Sequence, residues 1–203
     1  MKHATTTIFQ LFESFGVFTE AEIKQILKYF EYKSYTKGTI IVDIGQVNDK
    51  MYFVENGVLR EFSYQDQDQD LDENEDQTIT HWLMSENNFV YLVESFLDQK
   101  PSTLALEVIE KAKLWVISKQ NMDKLYLEFP QLNLVGRLMV EQYLKKYEIY
   151  IGMLRQSPKA RLDWFYNFHP ELANRVPLKY IATYLNITPS TLSRVRKRLL
   201  SKK

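Results

Sequence analysis

The stretch from Leu178 to Leu200 constrains the fold more than any other part of the sequence. It reads LKYIATYLNITPSTLSRVRKRLL. Two short helices that cross steeply need a small residue at the crossing, which Ala182 supplies. The turn four positions later needs a residue that tolerates left-handed geometry, which suits Asn186. Thr188 then fits the N-cap of a second helix and Pro189 its first position. The pattern predicts a helix-turn-helix.

The second predicted helix, about residues 189–200, has two different faces. Apolar residues of both helices recur at the spacing of one shared core: Ile181, Leu185, Ile187, Leu192 and Val195. The opposite face of the second helix combines short polar with long basic side chains, a mixture suited to base edges and phosphates in a DNA major groove. The predicted DNA-binding residues are Lys179, Thr188, Ser190, Thr191, Ser193, Arg194, Lys197 and Arg198.

Different roles are expected within this set. Arg194 is the candidate for a guanine contact, because its guanidinium can donate two parallel hydrogen bonds to one base. Lys179, Lys197 and Arg198 are candidates for phosphate contacts, which position a protein without reading sequence. The helical wheel places Arg196 nearer the buried side, so it receives no role. The alternative reading is a two-helix scaffold whose basic face is merely solvated.

The distribution of charge favours a polyanionic partner for this end of the chain. The net charge is zero, with 26 basic and 26 acidic residues. Residues 155–203 carry eleven Lys or Arg against two acids, whereas residues 1–154 carry fifteen against twenty-four. Halves of opposite charge indicate two domains with different partners. The absence of Cys excludes a disulfide framework and any site built on thiolates, such as Cys-ligated zinc or an iron–sulfur cluster.

The first 118 residues follow a different pattern. Residues 5–30 are predicted to be helical, with Thr19 and Glu22 forming a capping box. Short apolar or alternating runs follow: Ile40–Gly45, Met51–Tyr64, Thr78–Met84 and Leu104–Ser118. Turn signals separate them at Lys37-Gly38, Gly45, Asn56-Gly57 and Lys100-Pro101. The spacing predicts a small antiparallel barrel or roll.

A long helix is predicted after Pro130. Its apolar residues are spaced 4, 3, 4 and 3 apart: Val140, Leu144, Tyr147, Ile151 and Leu154. This is the seam of a coiled coil, although a helix packed on its own domain would also fit. Ser157 and Pro158 suit the N-cap and first position of the next helix. We expect three parts, residues 1–129, 130–156 and 157–203.

Together these features resemble a Crp/Fnr-type transcription regulator over nearly the whole chain. Gly38, Gly45 and Gly57 match the roll turns of that family, and VPLKYIATYLNITPSTLSRVRK resembles its DNA-reading motif. The resemblance implies an α+β fold: an N-terminal cyclic-nucleotide-binding-like antiparallel β-roll of jelly-roll type, a long dimerisation helix and a C-terminal helix-turn-helix. Since the sequence ends at Lys203, we expect the wing of the last domain to be truncated.

The resemblance also implies partners. They are a double-stranded DNA operator, a second copy of the chain bound through residues 130–156, and RNA polymerase. The operator would be near-palindromic, with recognition helices about 34 Å apart. A cytoplasmic location is expected, because the sequence has no signal peptide and no apolar run long enough to span a membrane.

The roll lacks the signature of family members that bind cyclic AMP. Those members resemble each other in a Phe-Gly-Glu stretch followed by an Arg-Ser pair. The aligned positions here are Phe89, Val90, Tyr91, Pro101 and Ser102. Without the Arg, a buried phosphate has no counter-charge. We therefore expect no cofactor and no binding of cyclic AMP or cyclic GMP.

Other readings of the roll stay open. One is a cyclic-nucleotide-responsive regulator with a non-standard pocket. Another is an unknown, less charged effector beside Tyr91, Leu92, Phe96 and Trp82, although such residues are more often plain core. A third is an interaction or ligand-sensing module that does not bind DNA.

The sequence predicts neither an enzyme nor a metal site. His3, His81 and His169 are scattered, and no phosphate-binding loop or nucleophile motif is present. The run DQDQDLDENED, residues 66–76, begins like an EF-hand loop. It has Leu71 where that loop needs Gly and Gln77 where it needs Glu. We interpret it as a solvated hairpin tip that adds to the negative charge of the N-terminal half.

Overall fold

The computed structural model describes residues 7–65 and 78–200, with side chains through residue 197. The helices are α1 (Thr7–Ser14), α2 (Glu20–Leu27), α3 (Val93–Asp98), α4 (Lys119–Glu128), α5 (Gln131–Leu154), α6 (Pro158–Phe168), α7 (Leu178–Tyr184) and α8 (Pro189–Leu200). The strands are β1 (Glu31–Tyr35), β2 (Ile40–Val42), β3 (Lys50–Tyr64), β4 (Thr78–Met84), β5 (Phe89–Val90) and β6 (Ala105–Ser118). The predicted α+β class is confirmed. The acidic run lies outside the described residues.

The N-terminal helical prediction is correct in type but wrong in continuity. Helices α1 and α2 are separate, and Gly16 between them has a φ of +67°, a left-handed conformation that favours glycine. The predicted capping box is present at the start of α2. The backbone N–H of Glu22 donates to Thr19 Oγ1 at 3.3 Å, and Thr19 N–H donates to Glu22 Oε2 at 2.7 Å.

The six strands form one antiparallel sheet, which we call the roll. Strands β1, β6, β3 and β4 are neighbours in that order, while β2 pairs with β6 and β5 with β3. Tyr64 at the end of β3 pairs with Thr78 at the start of β4. The acidic run is therefore flanked by two paired strands, as predicted. The short helices α3 and α4 were not predicted.

Asn56-Gly57 is not a turn between strands, as the sequence suggested, but an irregularity inside the long strand β3. The register between β3 and β6 shifts on both sides of Asn56. Gly57 has a φ of +110°, and a Cβ there would lie 2.7 Å from the Cβ of Ala112. Both facts require glycine. This irregularity, which we call the kink, comes just before Leu59–Tyr64, the part of β3 that pairs with β4.

Beyond this kink, β3 contributes to two hydrophobic cores by simple alternation. Leu59 joins a core inside the roll that includes Leu106 and Val108 of β6. Val58 joins a different core on the outer face, together with the C-terminal helices. Successive strand residues point to opposite faces. Arg60 therefore points outward with Val58, and Glu61 points inward with Leu59.

The C-terminal helices pack directly on the outer face of the roll. Their shared core contains Val58, Leu83 and Ile109 from the sheet. Its members from α5 to α8 include Tyr150, Met153, Leu162, Phe165, Ile181, Ala182, Tyr184, Leu185 and Leu192. The Thr80 backbone N–H also donates to Thr183 Oγ1 at 3.2 Å. Helix α7 is thus held against the edge strand β4.

Arg60 is a buried charge at this contact, and its side chain is paired, hydrogen-bonded and stacked. Its Nε donates to Glu107 Oε2 at 2.6 Å, and its Nη1 donates to Thr78 and Thr80. The guanidinium carbon lies 3.6 Å from the centroid of the Tyr180 ring of α7. A buried cation is tolerated when it is paired, hydrogen-bonded and stacked in this way.

Arg175, just before α7, forms a second link between the two parts. Its guanidinium donates to both carboxylate oxygens of Glu86, at 2.7 and 2.9 Å, and to Glu110 at 2.8 Å. The hydrogen bond from Arg175 lowers the pKa of Glu86 to about 2, with a further contribution from the Gly57 backbone N–H. Glu86 therefore stays ionised over the working pH range, and the pair persists.

Candidate nucleic-acid interface and effector site

The turn between α7 and α8 is built by local backbone chemistry. Asn186 has a φ of +50°, and its N–H donates to the Thr183 carbonyl at 3.0 Å. The Ile187 N–H reaches back to the Ala182 carbonyl at 3.0 Å. These are the two bonds of a Schellman motif around a left-handed residue. Ala182 is fully buried at the crossing, as predicted.

Helix α8 begins as its sequence predicts. The Thr191 N–H donates to Thr188 Oγ1 at 3.2 Å, which makes Thr188 the N-cap, and Pro189 is the first helical residue. Leu192 is buried, and Ile187 and Val195 are partly buried in the shared core. The recognition-type helix is therefore fixed by its apolar face and by its cap.

Arg161 of α6 completes the turn, and sequence reasoning did not find it. Its Nη1 donates to the carbonyls of Leu185 and Asn186, at 3.0 and 2.9 Å, and its Nε donates to the Gln156 carbonyl. The carbonyls at a helix C-terminus lack partners within the helix, and a cation satisfies them well. The one indication in the sequence was that Arg161 is a basic residue near the start of the helix that precedes the helix-turn-helix.

The predicted DNA-reading face of α8 is open to solvent. Ser190, Ser193, Arg194 and Lys197 are exposed, and Thr191 is partly exposed. The Arg194 guanidinium lies along the first turn of the helix, where it donates to Thr191 Oγ1 at 3.1 Å and contacts the Ser190 carbonyl. The helix thus presents short hydroxyls at its N-terminal end and long cations beyond them.

The remaining basic positions surround this face. Lys179 is exposed at the start of α7, with its Nζ 5.0 Å from the Tyr180 ring centroid. Arg196 is exposed, so its placement near the buried side was wrong. Real helices tilt on their neighbours, which shifts the boundary of the buried stripe from the ideal wheel. The side chain of Arg198 and all of Ser201 lie outside the described residues.

The positions aligned with the cyclic AMP signature form a tightly packed loop region. Val90 is buried, and Ser102 is nearly so, with its Oγ accepting the Leu104 N–H at 3.0 Å. Pro101 is exposed in an isolated bridge to Val47. Phe89 begins the two-residue strand β5.

Tyr91 and its neighbours offer no cation to a phosphate. Its ring packs on Phe96 at a centroid distance of 4.9 Å. Both Phe96 and Leu92 are buried core residues. Lys100 points to solvent and pairs with Asp98 at 3.2 Å. None of these side chains supplies the counter-charge that a bound phosphate needs.

Glu61 is the polar residue of the roll interior that sequence reasoning missed. It lies on the inner face of β3, directly opposite Trp82 of β4 and Leu106 of β6. Burial raises the pKa of its carboxyl to about 7. The signal was present in the strand alternation of β3, which places Glu61 on the same face as Leu59.

The described residues contain no group of three His, Asp or Glu side chains that could hold a metal ion. His81 lies 2.8 Å from Ser63 Oγ, and burial lowers its pKa. His169 is 3.6 Å from Glu171, and burial also lowers its pKa. His3 and the acidic run lie outside the described residues.

Comparisons with known proteins agree with this geometry. Residues 32–129 match the family model described as the cyclic nucleotide-binding domain. The c-di-GMP responsive global regulator CLP of Xanthomonas campestris has 15% identity and a TM-score of 0.69, covering 91% of this chain and 93% of that chain. FixK2 of Bradyrhizobium japonicum has 16% identity and a TM-score of 0.66, covering 85% of each chain.

A protein from Eubacterium rectale, described as a transcriptional regulator of the crp/fnr family, has 17% identity and a TM-score of 0.66. That match covers 93% of this chain and 86% of that chain. The chain has the fold of the Crp/Fnr regulators. Among curated proteins the sequence has no match.

The Crp/Fnr fold confirms what the sequence motifs predicted for the architecture. In this fold, Val58 and Leu83 of the roll share a hydrophobic core with the helix-turn-helix, and Arg60 stacks on Tyr180 of α7. The Trp82 ring contacts Tyr143 of α5 and Tyr184 of α7. In the described part of the chain, no helix is both long and apolar enough to cross a membrane.

Replacing Glu61 with Gln should stabilise the protein in a pH-dependent way. The carboxyl ionises near pH 4.5 when unfolded and near pH 7 when folded, so the folded state loses stability as pH rises through that window. The free energy of unfolding of Glu61→Gln should therefore exceed that of the wild type by about 2–3 kcal/mol at pH 8 and by little at pH 4.5. Denaturant titrations at both pH values measure this.

Two groups near Glu61 also titrate in principle, Tyr91 and Tyr143, and both have pKa values raised by burial. They remain neutral across the pH 4.5–8 window. His81 on β4 is present in both the wild type and Glu61→Gln, so its titration cancels in the difference between their free energies of unfolding. Glu94→Gln, an exposed carboxylate on α3, is the matched control and should show no such trend. An equal stability difference at both pH values would contradict the assignment.

Proposed function

We propose that the chain is a DNA-binding transcription regulator of Crp/Fnr type. It would act as a homodimer and insert α8, residues 189–200, into successive major grooves of a near-palindromic operator. The observation that carries this proposal is the exposed face of α8, where short hydroxyls and long cations stand together on a rigidly capped helix. Such a regulator would act in the cytoplasm, where its DNA lies, and RNA polymerase would be a further partner.

The arrangement of side chains supports distinct roles along α8. Ser190, Thr191 and Ser193 are short enough to approach base edges without blocking entry into the groove. Arg194 rises from the middle of the same face and can reach a guanine once it leaves its contacts on the first turn. Lys197 and Lys179 lie further out, where the sugar-phosphate backbone would pass.

Replacing Arg194 with Ala should cost about 1–3 kcal/mol of operator binding and relax the preference at one base pair. The operator is first obtained by selection from random duplexes with the wild-type protein. Fluorescence anisotropy at fixed salt then gives the affinity of each variant for the operator and for its single-base variants.

Two other variants make this experiment decisive. Lys197→Ala should weaken binding to all sequences about equally. It should also reduce the slope of the logarithm of affinity against the logarithm of salt concentration by about one unit. Lys37→Ala, an exposed lysine on the roll, should change nothing. If Arg194→Ala weakens operator and random DNA to the same extent, Arg194 is only a phosphate contact. If no selected sequence binds better than random DNA, the regulator proposal fails.

The homodimer proposal is supported by an apolar stripe on α5. Val140, Tyr143, Leu144 and Tyr147 are 41–57% exposed in the single chain. The N-terminal end of the helix packs on the roll through Leu132 and Val135, and its C-terminal end packs on the helix-turn-helix core. The exposed stripe therefore contains the first three residues of the predicted seam, Val140, Leu144 and Tyr147, together with Tyr143, which the prediction did not include. Ile151 and Leu154, the last two residues of that seam, pack within their own chain.

Replacing Leu144 with Asp should weaken the dimer by about 2–4 kcal/mol, because a charge would be buried at the centre of the seam. Light scattering coupled to size exclusion measures the mass over a concentration series. Leu127→Asp is the matched control, since Leu127 is 84% exposed on α4 and outside the stripe. A Leu144→Asp protein that keeps the wild-type mass at micromolar concentration would contradict the proposed interface.

The proposed division of the chain is residues 1–129 as sensor roll, 130–156 as dimer helix and 157–203 as DNA-binding domain. It is supported by the start of α5 at Gln131 and the capped start of α6 at Pro158.

Within this division, we expect the roll to bind neither cyclic AMP nor cyclic GMP. The aligned positions supply no cation, Pro101 replaces the family's Arg, and Glu61 adds a negative charge to the interior. Calorimetric titration of the full-length protein with each nucleotide should give no heat of binding. Micromolar binding of either one would contradict this expectation.

A further inference from the structure

The segment between α6 and α7 carries a guanidinium group that joins the DNA-binding part to two separate places on the roll. Arg175 donates to both carboxylate oxygens of Glu86, which follows β4, and its Nε donates to Glu110 of β6 at 2.8 Å. Its Nη2 also reaches Glu110 Oε1 at 3.3 Å. Because the guanidinium is planar and holds two carboxylates at once, its position is defined more narrowly than by a single ion pair.

The residues on both sides of this ion-pair network are themselves anchored. Glu86 Oε1 also accepts the backbone N–H of Gly57 at 2.8 Å, at the kink of β3. On the other side, Leu172 and Val176 lie close to Arg175 in the chain and are buried in the core that the roll shares with the C-terminal helices. Isolated surface ion pairs contribute little, whereas bidentate geometry and a network of charges contribute more. Arg175 therefore links ordered parts of the roll and of the DNA-binding part.

Helix α7 contacts the roll at two further points. The Arg60 guanidinium carbon lies 3.6 Å from the centroid of the Tyr180 ring. Nearly one turn later, Thr183 Oγ1 accepts the backbone N–H of Thr80 at 3.2 Å. Together with Arg175, these contacts attach the start of the helix-turn-helix to the roll at three places along the chain. They restrict the tilt of α7 on the roll as well as its distance from β4.

Strand β4 also contacts the helix that carries the proposed dimer seam. The ring centroid of Trp82 lies 5.3 Å from that of Tyr150 on α5 and 6.3 Å from that of Tyr184 on α7. Tyr150 donates a hydrogen bond to the Tyr184 carbonyl at 2.9 Å. Helix α8 follows α7 across the turn that Arg161 completes. The position of α8 relative to α5 is thus fixed both directly and through the roll.

This position determines how far apart the two copies of α8 lie in a dimer joined along α5. One extra base pair between two half-sites moves one of them by about 3.4 Å along the DNA axis and turns it by about 35° around that axis. A helix-turn-helix that moves freely on its dimer helix can follow such a change. A firmly attached one cannot, so the DNA must be deformed instead, at a cost in binding free energy.

We propose that Arg175 is a positioning residue for operator recognition. By joining the helix-turn-helix to Glu86 and Glu110 of the roll, it makes the protein discriminate between operators that differ only in the spacing of their half-sites. This inference rests on the proposed function and deepens it, because it names a determinant of specificity that does not touch DNA. The roll then contributes to operator recognition without a bound effector.

Removing Arg175 should loosen the attachment more than the loss of one hydrogen bond would. The guanidinium brings the carboxylates of Glu86 and Glu110 together. In Arg175→Ala both carboxylates would stay ionised at neutral pH and repel each other across the contact. The shared apolar core would still hold the helices on the roll. We therefore expect a folded protein whose helix-turn-helix is less narrowly placed.

Fluorescence anisotropy with a set of duplexes tests the proposal on the full-length protein at fixed salt. The set contains the selected operator, versions with one base pair inserted or removed between the half-sites, and a duplex with a single half-site. The wild type should lose at least about tenfold in affinity when the spacing changes by one base pair. Arg175→Ala should lose at most about threefold, and it should bind the single half-site within about twofold of the wild type, since the DNA-reading face is unchanged.

Three further variants separate positioning from general damage. Arg175→Lys keeps a cation without the bidentate geometry, so its spacing penalty should lie between those of the wild type and Arg175→Ala. Glu110→Gln weakens the same network from the side of the roll and should lower the penalty in the same direction. Lys111→Ala removes an exposed positive charge next to Glu110 and, as the matched control, should keep the wild-type penalty. Melting temperatures establish which variants are folded.

The contrary outcomes are distinct. An unchanged spacing penalty in folded Arg175→Ala would overturn the proposal, and Glu110→Gln decides by the same criterion if Arg175→Ala does not fold. An equal loss of affinity for the half-site and the operator would also overturn it, because Arg175 would then act on α8 itself. A wild type that binds its operator specifically but tolerates the changed spacing disproves this inference alone. If no duplex is bound specifically, the regulator proposal fails and this inference fails with it.

Discussion

The pleat of strand β3 is the constraint on which the rest of the structure depends. After the kink at Gly57, four consecutive residues alternate between two cores. Val58 and Arg60 face the helix-turn-helix, while Leu59 and Glu61 face the interior of the roll. A slip of one residue would exchange these faces. It would bury Arg60 beside Leu106 and turn Glu61 toward Tyr180, so one register supports both the sensor interior and the docked DNA-binding part.

The two charged neighbours on β3 illustrate how differently a fold can treat buried charge. Arg60 is paired, hydrogen-bonded and covered by the Tyr180 ring, so it joins the roll to α7. Arg175, just before α7, likewise donates hydrogen bonds to the carboxylate of Glu86 on the roll. Charges that are fully engaged in this way specify one docking arrangement rather than add much net stability. The orientation of the helix-turn-helix on the roll is thus set by polar groups, whereas its attachment is apolar.

The sequence predicted the helix-turn-helix well because its determinants are local. A small residue at 182, a left-handed residue at 186 and a cap at 188 act within a few positions of one another. The roll was predicted only as a class, since irregular register and the two short helices depend on distant partners. Arg161 was missed because the carbonyls it binds lie 24 and 25 residues away. Glu61 was missed because its isolation is a property of the folded interior.

Glu61 also changes how the roll is related to its fold family. Replacing an Arg by Pro101 removes the attraction for a phosphate, but by itself this leaves a neutral interior. An inward carboxylate on β3, opposite Trp82, adds a negative charge and makes this side of the roll still less suited to a phosphate. The same carboxylate makes the stability of the roll depend on pH, since its pKa in the folded state lies above its unfolded value.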